Sequence, residues 1–370
     1  MKESGIDWIG LIPEGWEVSR LKYFFDIYAG GDIDERNTVD EYSENHPYPV
    51  ISNSLENEGI LGYTSNFRFQ GDSVTVTGRG DVGKAVYRNI KFYPVVRLLV
   101  CIPKKQVDCR FVTYWINSAI IEKNQTAVSQ LTIQMLGELI FTKVPYLEQK
   151  KIADFLDKKT AQLDKVKTIL EAQIQKLKDY RASLIYETVT KGLDKTVPMK
   201  NSGIDWIGQV PQGWGVDFAN HIFEEHKQKN KGNKEKNLLS LSYGRIIRKS
   251  IDSSFGLLPE SFDTYNIIQR GDIVLRLTDL QNDKKSLRVG LARENGIITS
   301  AYLTLRLKNI GCSDSYMYYL LHTYDICKVF YNFGGGVRQG GTWSDIYKLE
   351  LLIPPYNEQA QITDFLDKKT

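Results

Sequence analysis

The sequence predicts a mixed α/β protein in which two modules of short strands and helices are joined by one long coiled-coil helix. The arrangement is a tandem pseudo-repeat whose second long helix is cut short. Three observations carry this. Ten of thirteen residues match between Glu148–Thr160 (EQKKIADFLDKKT) and Glu358–Thr370 (EQAQITDFLDKKT), and thirteen of eighteen match between Met1–Val18 and Met199–Val216. The stretches between these blocks, 19–147 and 217–357, share little sequence and differ in length, 129 residues against 141. A run from Glu148 to Gly192 contains no proline and no internal glycine. A frame that repeats around unlike contents is suited to holding two different surfaces at a fixed separation. The expected boundaries are 1–147 for the first module, 148–192 for the connector, 193–357 for the second module and 358–370 for the start of a second connector.

In the first module the segments Tyr48 to Ser52, Ser73 to Thr77, Lys84 to Arg88 and Val95 to Ile102 have strand character, and an amphipathic helix is expected over about 110–123. In the second, strands are expected over Leu238 to Tyr243, Asp272 to Thr278, Arg288 to Arg293 and Ala301 to Leu307, with a helix over about 315–331. Both modules place a Gly-Asp pair (Gly71-Asp72, Gly271-Asp272) before a central strand, which predicts one fold with diverged surfaces. Trp8, Trp16, Trp206 and Trp214 repeat with the frame and are expected to be scaffold residues.

In the connector, Leu156, Leu163, Leu170, Leu177 and Leu184 recur every seven residues, while Ile152, Val166 and Tyr180 each stand four before a leucine. Lys159 and Gln173 interrupt the second column. Some 43 helical residues would span about 65 Å. The seam of Leu156, Leu163, Val166, Leu170, Leu177, Tyr180 and Leu184 is apolar enough to need a partner helix, which makes these the expected docking residues. Gly192 and Pro198 supply the stop.

Composition fits two domains and a connector: 370 residues with 42% hydrophobic content. No apolar run approaches the roughly 18 residues that cross a bilayer, and MKESGIDWIG lacks a signal-peptide core, so no membrane partner and a cytoplasmic location are expected. Cys101, Cys109, Cys312 and Cys327 form no CxxC pair, which argues for buried free thiols and against a disulfide framework or zinc. The net charge of +3 does not announce a polyanion partner. Its distribution says more: residues 227–249 hold eight Lys/Arg against one Glu, while 26–58 hold nine Asp/Glu against Arg36 alone. The first stretch could track phosphates or be a solvated loop; the second is expected to face away from a polyanion.

Three motifs that resemble catalytic signatures fail on context. Gly78 to Gly83 matches GxGxxG, but the following Lys84 to Arg88 alternates as a strand where a dinucleotide fold needs a helix, so a glycine-rich hairpin is expected. His221 and His226 are five apart, not the four of a zinc-protease helix, and are expected at the surface. Ile353-Pro354-Pro355-Tyr356 resembles the PPY motif of adenine methyltransferases, but Ile353 cannot accept the hydrogen bond that chemistry requires, and neither can Val144 in the first copy. No catalytic residue, metal site or cofactor is therefore expected.

Taken with the two copies of SGIDWIG(x)2P(x)GW at Ser4 to Trp16 and Ser202 to Trp214, and of the EQ(x)2I(x)DFLDKKT block, the chain resembles the specificity subunit of type I restriction-modification systems. The resemblance covers essentially the whole chain. It implies two target recognition domains, held apart by antiparallel helices, each binding one half of a split double-stranded DNA sequence. It also implies docking of methyltransferase subunits that modify adenines and of restriction subunits that translocate and cut, with the S-adenosylmethionine and ATP sites in those partners. The departure from the family is the short second helix, which leaves the leucine column without its usual cover. A partner subunit, or self-association through the equivalent helix of another copy, is expected to bury it.

Base readout uses Arg, Lys, Asn or Gln presented by loops. The expected DNA-binding residues are Arg79, Lys84, Arg88, Ser129, Gln130, Thr132 and Gln134 in the first module, and Arg276, Lys284, Lys285, Arg288, Arg338, Gln339 and Thr342 in the second. Two other readings compete: a coiled-coil scaffold that binds no DNA, and a stand-alone DNA methyltransferase or nuclease. The second is disfavoured by the missing PPY acceptor and by the lack of a carboxylate-lysine nuclease motif.

Overall fold

The computed structural model describes all residues except 6–7, 120–129, 250–260, 281–286, 309–310 and 334–339. The chain divides into two compact units, Met1–Ile169 and Leu170–Thr370.

The first unit contains β1 (Glu17–Arg20), β2 (Phe25–Ala29), β3 (Tyr48–Ile51), β4 (Ile60–Thr64), β5 (Ser73–Thr77), β6 (Ala85–Arg88), β7 (Leu98–Pro103), α1 (Cys109–Ser118), α2 (Ile133–Glu138), β8 (Ile140–Lys143) and the start of α3 (Tyr146–Lys191). Its central antiparallel sheet has the order β2-β7-β5-β6. On one face Val74, Val76, Leu99 and Cys101 pack with Phe111, Val112 and Trp115 of α1. On the other, Leu98 and Val100 pack with Ile51 and Phe92. Burial on both faces explains why β7 reads LLVCIP without polar alternation. β7 starts at Leu98, later than the expected Val95, because Arg97 takes a left-handed φ of 71° and Leu98 N–H closes a turn on the Val95 carbonyl at 3.1 Å. Asp108 caps α1, accepting from the N–H groups of Arg110 and Phe111. β3 and β4 belong to a second four-stranded sheet with Thr38–Val39 and Tyr93–Pro94.

The second unit contains β9 (Gly215–Phe218), β10 (Phe223–Glu225), β11 (Leu239–Ser242), β12 (Arg245–Arg248), β13 (Asn266–Ile268), β14 (Ile273–Leu275), β15 (Val289–Leu291), β16 (Gly296–Ile298), β17 (Leu303–Leu307), α4 (Asp314–Ile326), β18 (Glu350–Ile353) and α5 (Tyr356–Lys369). The sheet order β10-β17-β14-β15 repeats that of the first unit, so the two modules share a fold. The expected helix over 315–331 ends at Ile326, since Lys328 adopts φ 63° and only a 3-10 turn, Val329–Asn332, follows. β11 and β12 form a hairpin, and β13 pairs with β16, where the first unit has its second sheet.

The residues that recur between the halves are those that tie each module's ends to its helix. β1 pairs with β8, and β9 pairs with β18, bringing the start and finish of each variable segment side by side. Trp16 Nε1 donates to Glu148 Oε2 at 3.0 Å, and Trp214 Nε1 to Glu358 Oε2 at 2.9 Å. Buried Gln149 accepts from Asp108 N–H at 2.9 Å and donates to the Val144 carbonyl at 2.7 Å. Gln359 does the same with Ser313 N–H at 2.8 Å and the Pro354 carbonyl at 2.9 Å. Tyr114 OH donates to Asp157 at 2.8 Å, as Tyr319 OH does to Asp367 at 2.7 Å.

α3 is one continuous helix of 46 residues, about 69 Å at 1.5 Å per residue. Ile152 and Ala153 join the core of the first unit, whereas Ile185 and Val189 join that of the second. The helix stops at Gly192, whose φ of +72° favours glycine and which packs beside Trp214 and the Glu358 carboxylate.

Candidate nucleic-acid interface

The GxGxxG segment is a hairpin between β5 and β6. Gly83 N–H donates to the Thr77 carbonyl at 2.8 Å, Lys84 N–H donates to Thr77 Oγ1 at 2.9 Å, and Thr77 Oγ1 donates to the Asp81 carbonyl. Arg79 and Lys84 are exposed on it. The hairpin is stitched to the polar loop ahead of α2, because Leu131 N–H donates to the Gly78 carbonyl at 3.0 Å. This brings Arg79 together with exposed Gln130, Thr132 and Gln134. Thr132 is also the N-cap of α2, accepting from Met135 N–H at 3.2 Å.

The second unit repeats the stitch with different residues. Gly341 N–H donates to the Leu277 carbonyl at 2.7 Å, placing exposed Thr342 beside the end of β14 and half-buried Arg276. Thr342 caps the short helix Trp343–Ile346, with Asp345 completing a capping box. Ser129, Lys284, Lys285, Arg338 and Gln339 lie outside the described residues.

Two expected DNA-contacting residues are corrected by the structure. Arg88 is 6% exposed; its Nε donates to Thr75 Oγ1 at 3.1 Å and its Nη2 to the Glu58 carbonyl at 2.9 Å, and burial lowers its pKa. Arg288 is fully buried, and its guanidinium donates to the carbonyls of Arg276 at 3.0 Å and Thr278 at 2.8 Å and to Tyr331 OH at 3.2 Å. An arginine enclosed in this way has no free fork for a base or phosphate. Arg88 braces β5, and Arg288 shapes the turn after β14.

The remaining expectations divide similarly. In the basic stretch, Lys229 is occupied by the Thr264 carbonyl and Asn266 Oδ1, both at 3.0 Å, and Lys227 pairs with Glu225 at 2.7 Å, while Lys231, Lys234 and Lys236 are exposed. His221 is exposed and bonded to Asp217, but His226 is half-buried, with Nε2 shielded and unpartnered among the described residues. Cys101, Cys109 and Cys312 are buried free thiols; Cys327 is free but exposed, contrary to expectation. Burial pushes the Cys101 thiol up to about 12, far from reactivity at neutral pH. Among the described residues no group of three or more His, Cys, Asp or Glu could hold a metal ion, and no helix is long and apolar enough to cross a membrane.

Along α3, Leu163 is 68% exposed, Val166 52%, Leu170 51%, Leu177 67% and Tyr180 64%. Leu156 and Leu184, at the ends of the seam, are half-buried. The heptad count missed Ile169 and Ile174, which are also exposed on this stretch. A run of apolar side chains left in water over several helical turns is unusual for a soluble surface and characteristic of a binding face.

Each unit thus carries the same sheet-and-helix fold, closed by a short terminal ladder. A chain from a solved structure of the type I restriction-modification system aligns over 97% of this chain and 91% of its own length, with TM-score 0.62 at 14% identity. The HsdS subunit from Thermoanaerobacter tengcongensis aligns over 100% and 91%, with TM-score 0.50 at 13% identity. Residues 13–178, a little under half of the chain, match the family described as type I restriction modification DNA specificity domain. A putative type I specificity subunit of Mycoplasma pneumoniae is 33% identical over 117 residues, 32% of this chain and 35% of the relative. The putative type I restriction enzyme MjaX specificity subunit of Methanocaldococcus jannaschii is 23% identical over 392 residues, 96% of this chain and 86% of the relative. The matched stretch spans about a third of the length of the first two Mycoplasma pneumoniae relatives.

Proposed function

We propose that this chain is a non-catalytic, sequence-reading subunit that binds a bipartite double-stranded DNA target, one half-site per module. In this reading 1–147 and 193–357 are the two target recognition domains, 148–192 is the spacer and 358–370 begins a second conserved helix. The observation that carries it is the repeated stitch: Gly78 to Leu131 in one unit and Leu277 to Gly341 in the other hold unlike polar loops at the same place in the same fold. An invariant support under divergent donors and acceptors suits readout of two different sequences, since base edges are discriminated by side-chain hydrogen bonds. Arg79, Lys84, Gln130, Thr132 and Gln134 would serve one half-site. Arg276 and Thr342, with Ser129, Lys284, Lys285, Arg338 and Gln339 from outside the described residues, complete the two sets.

The exposed seam of α3 supports docking of other helices, and we assign to it the adenine methyltransferase subunits, with restriction subunits joining the assembly and self-association of this chain as the alternative cover. Catalysis and cofactors then belong to those partners. The test is footprinting in the presence of the methyltransferase partner. A single bipartite footprint is expected, with Arg79→Ala losing protection in one half only. A chain that assembles with the partner yet gives no footprint would leave a protein scaffold as the better reading.

A further inference from the structure

Within the second unit a cleft of about 310 Å3 opens between the end of α3, the β11-β12 hairpin, β15, α4 and α5. Arg181, Arg245 and Arg293 line it together with Asp367 and Thr370. An adjoining lobe of about 410 Å3 shares Arg181, Arg245 and Tyr318 and reaches inward to His322. The three guanidinium groups are poorly compensated. Arg293 stands 3.9 Å from Asp367, whose Oδ1 already accepts from Tyr319 OH at 2.7 Å. Arg181 makes a 3.4 Å bond to Thr370 O, and the Arg245 guanidinium has no hydrogen bond or ion pair among the described residues.

At the floor, His322 is 2% exposed and stacks on Tyr318 at 5.9 Å with a 29° tilt. Neither Nδ1 nor Nε2 has a partner among the described residues. A buried polar ring without partners is costly unless something enters to satisfy it. In the first unit the matching aspartate, Asp157, is already met by Arg110 at 2.8 Å, so the surplus of positive charge belongs to the second unit.

We propose that this cleft binds a phosphoryl oxyanion. Three arginine forks offer more directed N–H groups than the two oxygens of a carboxylate can accept, whereas a tetrahedral phosphate has oxygens to distribute among them and one to receive the N–H of His322. The same chemistry is offered by a free phosphate and by the backbone of a bound duplex; only the second source rests on the DNA-reading function.

The test uses the full chain and inorganic phosphate at constant ionic strength, followed by calorimetry and by the imidazole nitrogen signals of His322. Saturable binding at one site per chain is expected, with movement of the His322 signals. Arg245→Gln, at an exposed position, should weaken it about tenfold, and Lys249→Gln, an exposed lysine outside the cleft, by less than about twofold. Absence of saturable binding, or equal losses in the two variants, would overturn the proposal. Competition by a short duplex of unrelated sequence assigns the site to backbone phosphate; undiminished phosphate binding beside saturating duplex assigns it to a free oxyanion, and both uphold the site. Failure of the chain to bind any duplex while phosphate still binds would count against DNA reading and leave the cleft standing.

Discussion

Acid should loosen the second unit through one residue, His322. Burial, with Arg181 nearby, lowers its pKa from the ordinary 6.5 to about 4. Above the unfolded value both states hold a neutral ring and stability does not depend on this proton. Below it the unfolded chain binds the proton and the folded chain refuses it, so stability falls with pH until about 4, where the loss saturates. At pH 4.5 the difference amounts to about 2.5 kcal/mol, a large share of a domain's stability. The comparison is with His322→Phe, which keeps the stack on Tyr318 and deletes two unpartnered nitrogens. The variant should be at least as stable as the parent at pH 7, and its advantage should widen by about 2.5 kcal/mol at pH 4.5. Hydrogen exchange of α4 amides at several pH values isolates this unit from the other. A stability difference that stays constant between pH 7 and 4.5 would refute the reasoning.

Arg288→Lys should destabilise the second unit by about 2 to 4 kcal/mol in urea titration, because one ammonium cannot satisfy the carbonyls that the guanidinium spans. Arg79→Ala on the exposed hairpin should change stability by less than about 0.5 kcal/mol. Trp214→Phe, which removes a fully buried indole and its bond to Glu358, should cost about 1 to 3 kcal/mol, and Trp16→Phe, at a half-buried site, less than about 1; thermal melts of the two variants compare the halves directly.

The frame was legible because repetition marks it: Trp16 and Trp214, Glu148 and Glu358, Gln149 and Gln359 recur in sequence and form the same bonds in each half. The long helix was legible from leucine spacing, and the Gly78 to Gly83 hairpin from the strand after it. The inward turn of Arg88 was not. Sequence reading sends an arginine to solvent, but β5 alternates Ser73, Thr75 and Thr77 with valines while being buried on both faces, and that covered polar face is what receives the guanidinium. The short ladders β1-β8 and β9-β18 also escaped notice, since their partners lie more than a hundred residues apart and have no apolar pattern. The arginine cleft draws its members from α3, the β11-β12 hairpin and the stretch after β15, so no local motif could announce it.

The β1-β8 and β9-β18 pairings have a consequence for how such a chain can change. Everything between each pair leaves and re-enters at adjacent backbone positions, and each helix start is bonded to the indole ahead of the segment and to a backbone N–H and a tyrosine within it. The interior of either unit is therefore topologically an insert with a standard plug. A replacement needs to present two neighbouring ends, an apolar underside, and a backbone N–H and a tyrosine placed as Asp108 and Tyr114 are in one half and Ser313 and Tyr319 in the other.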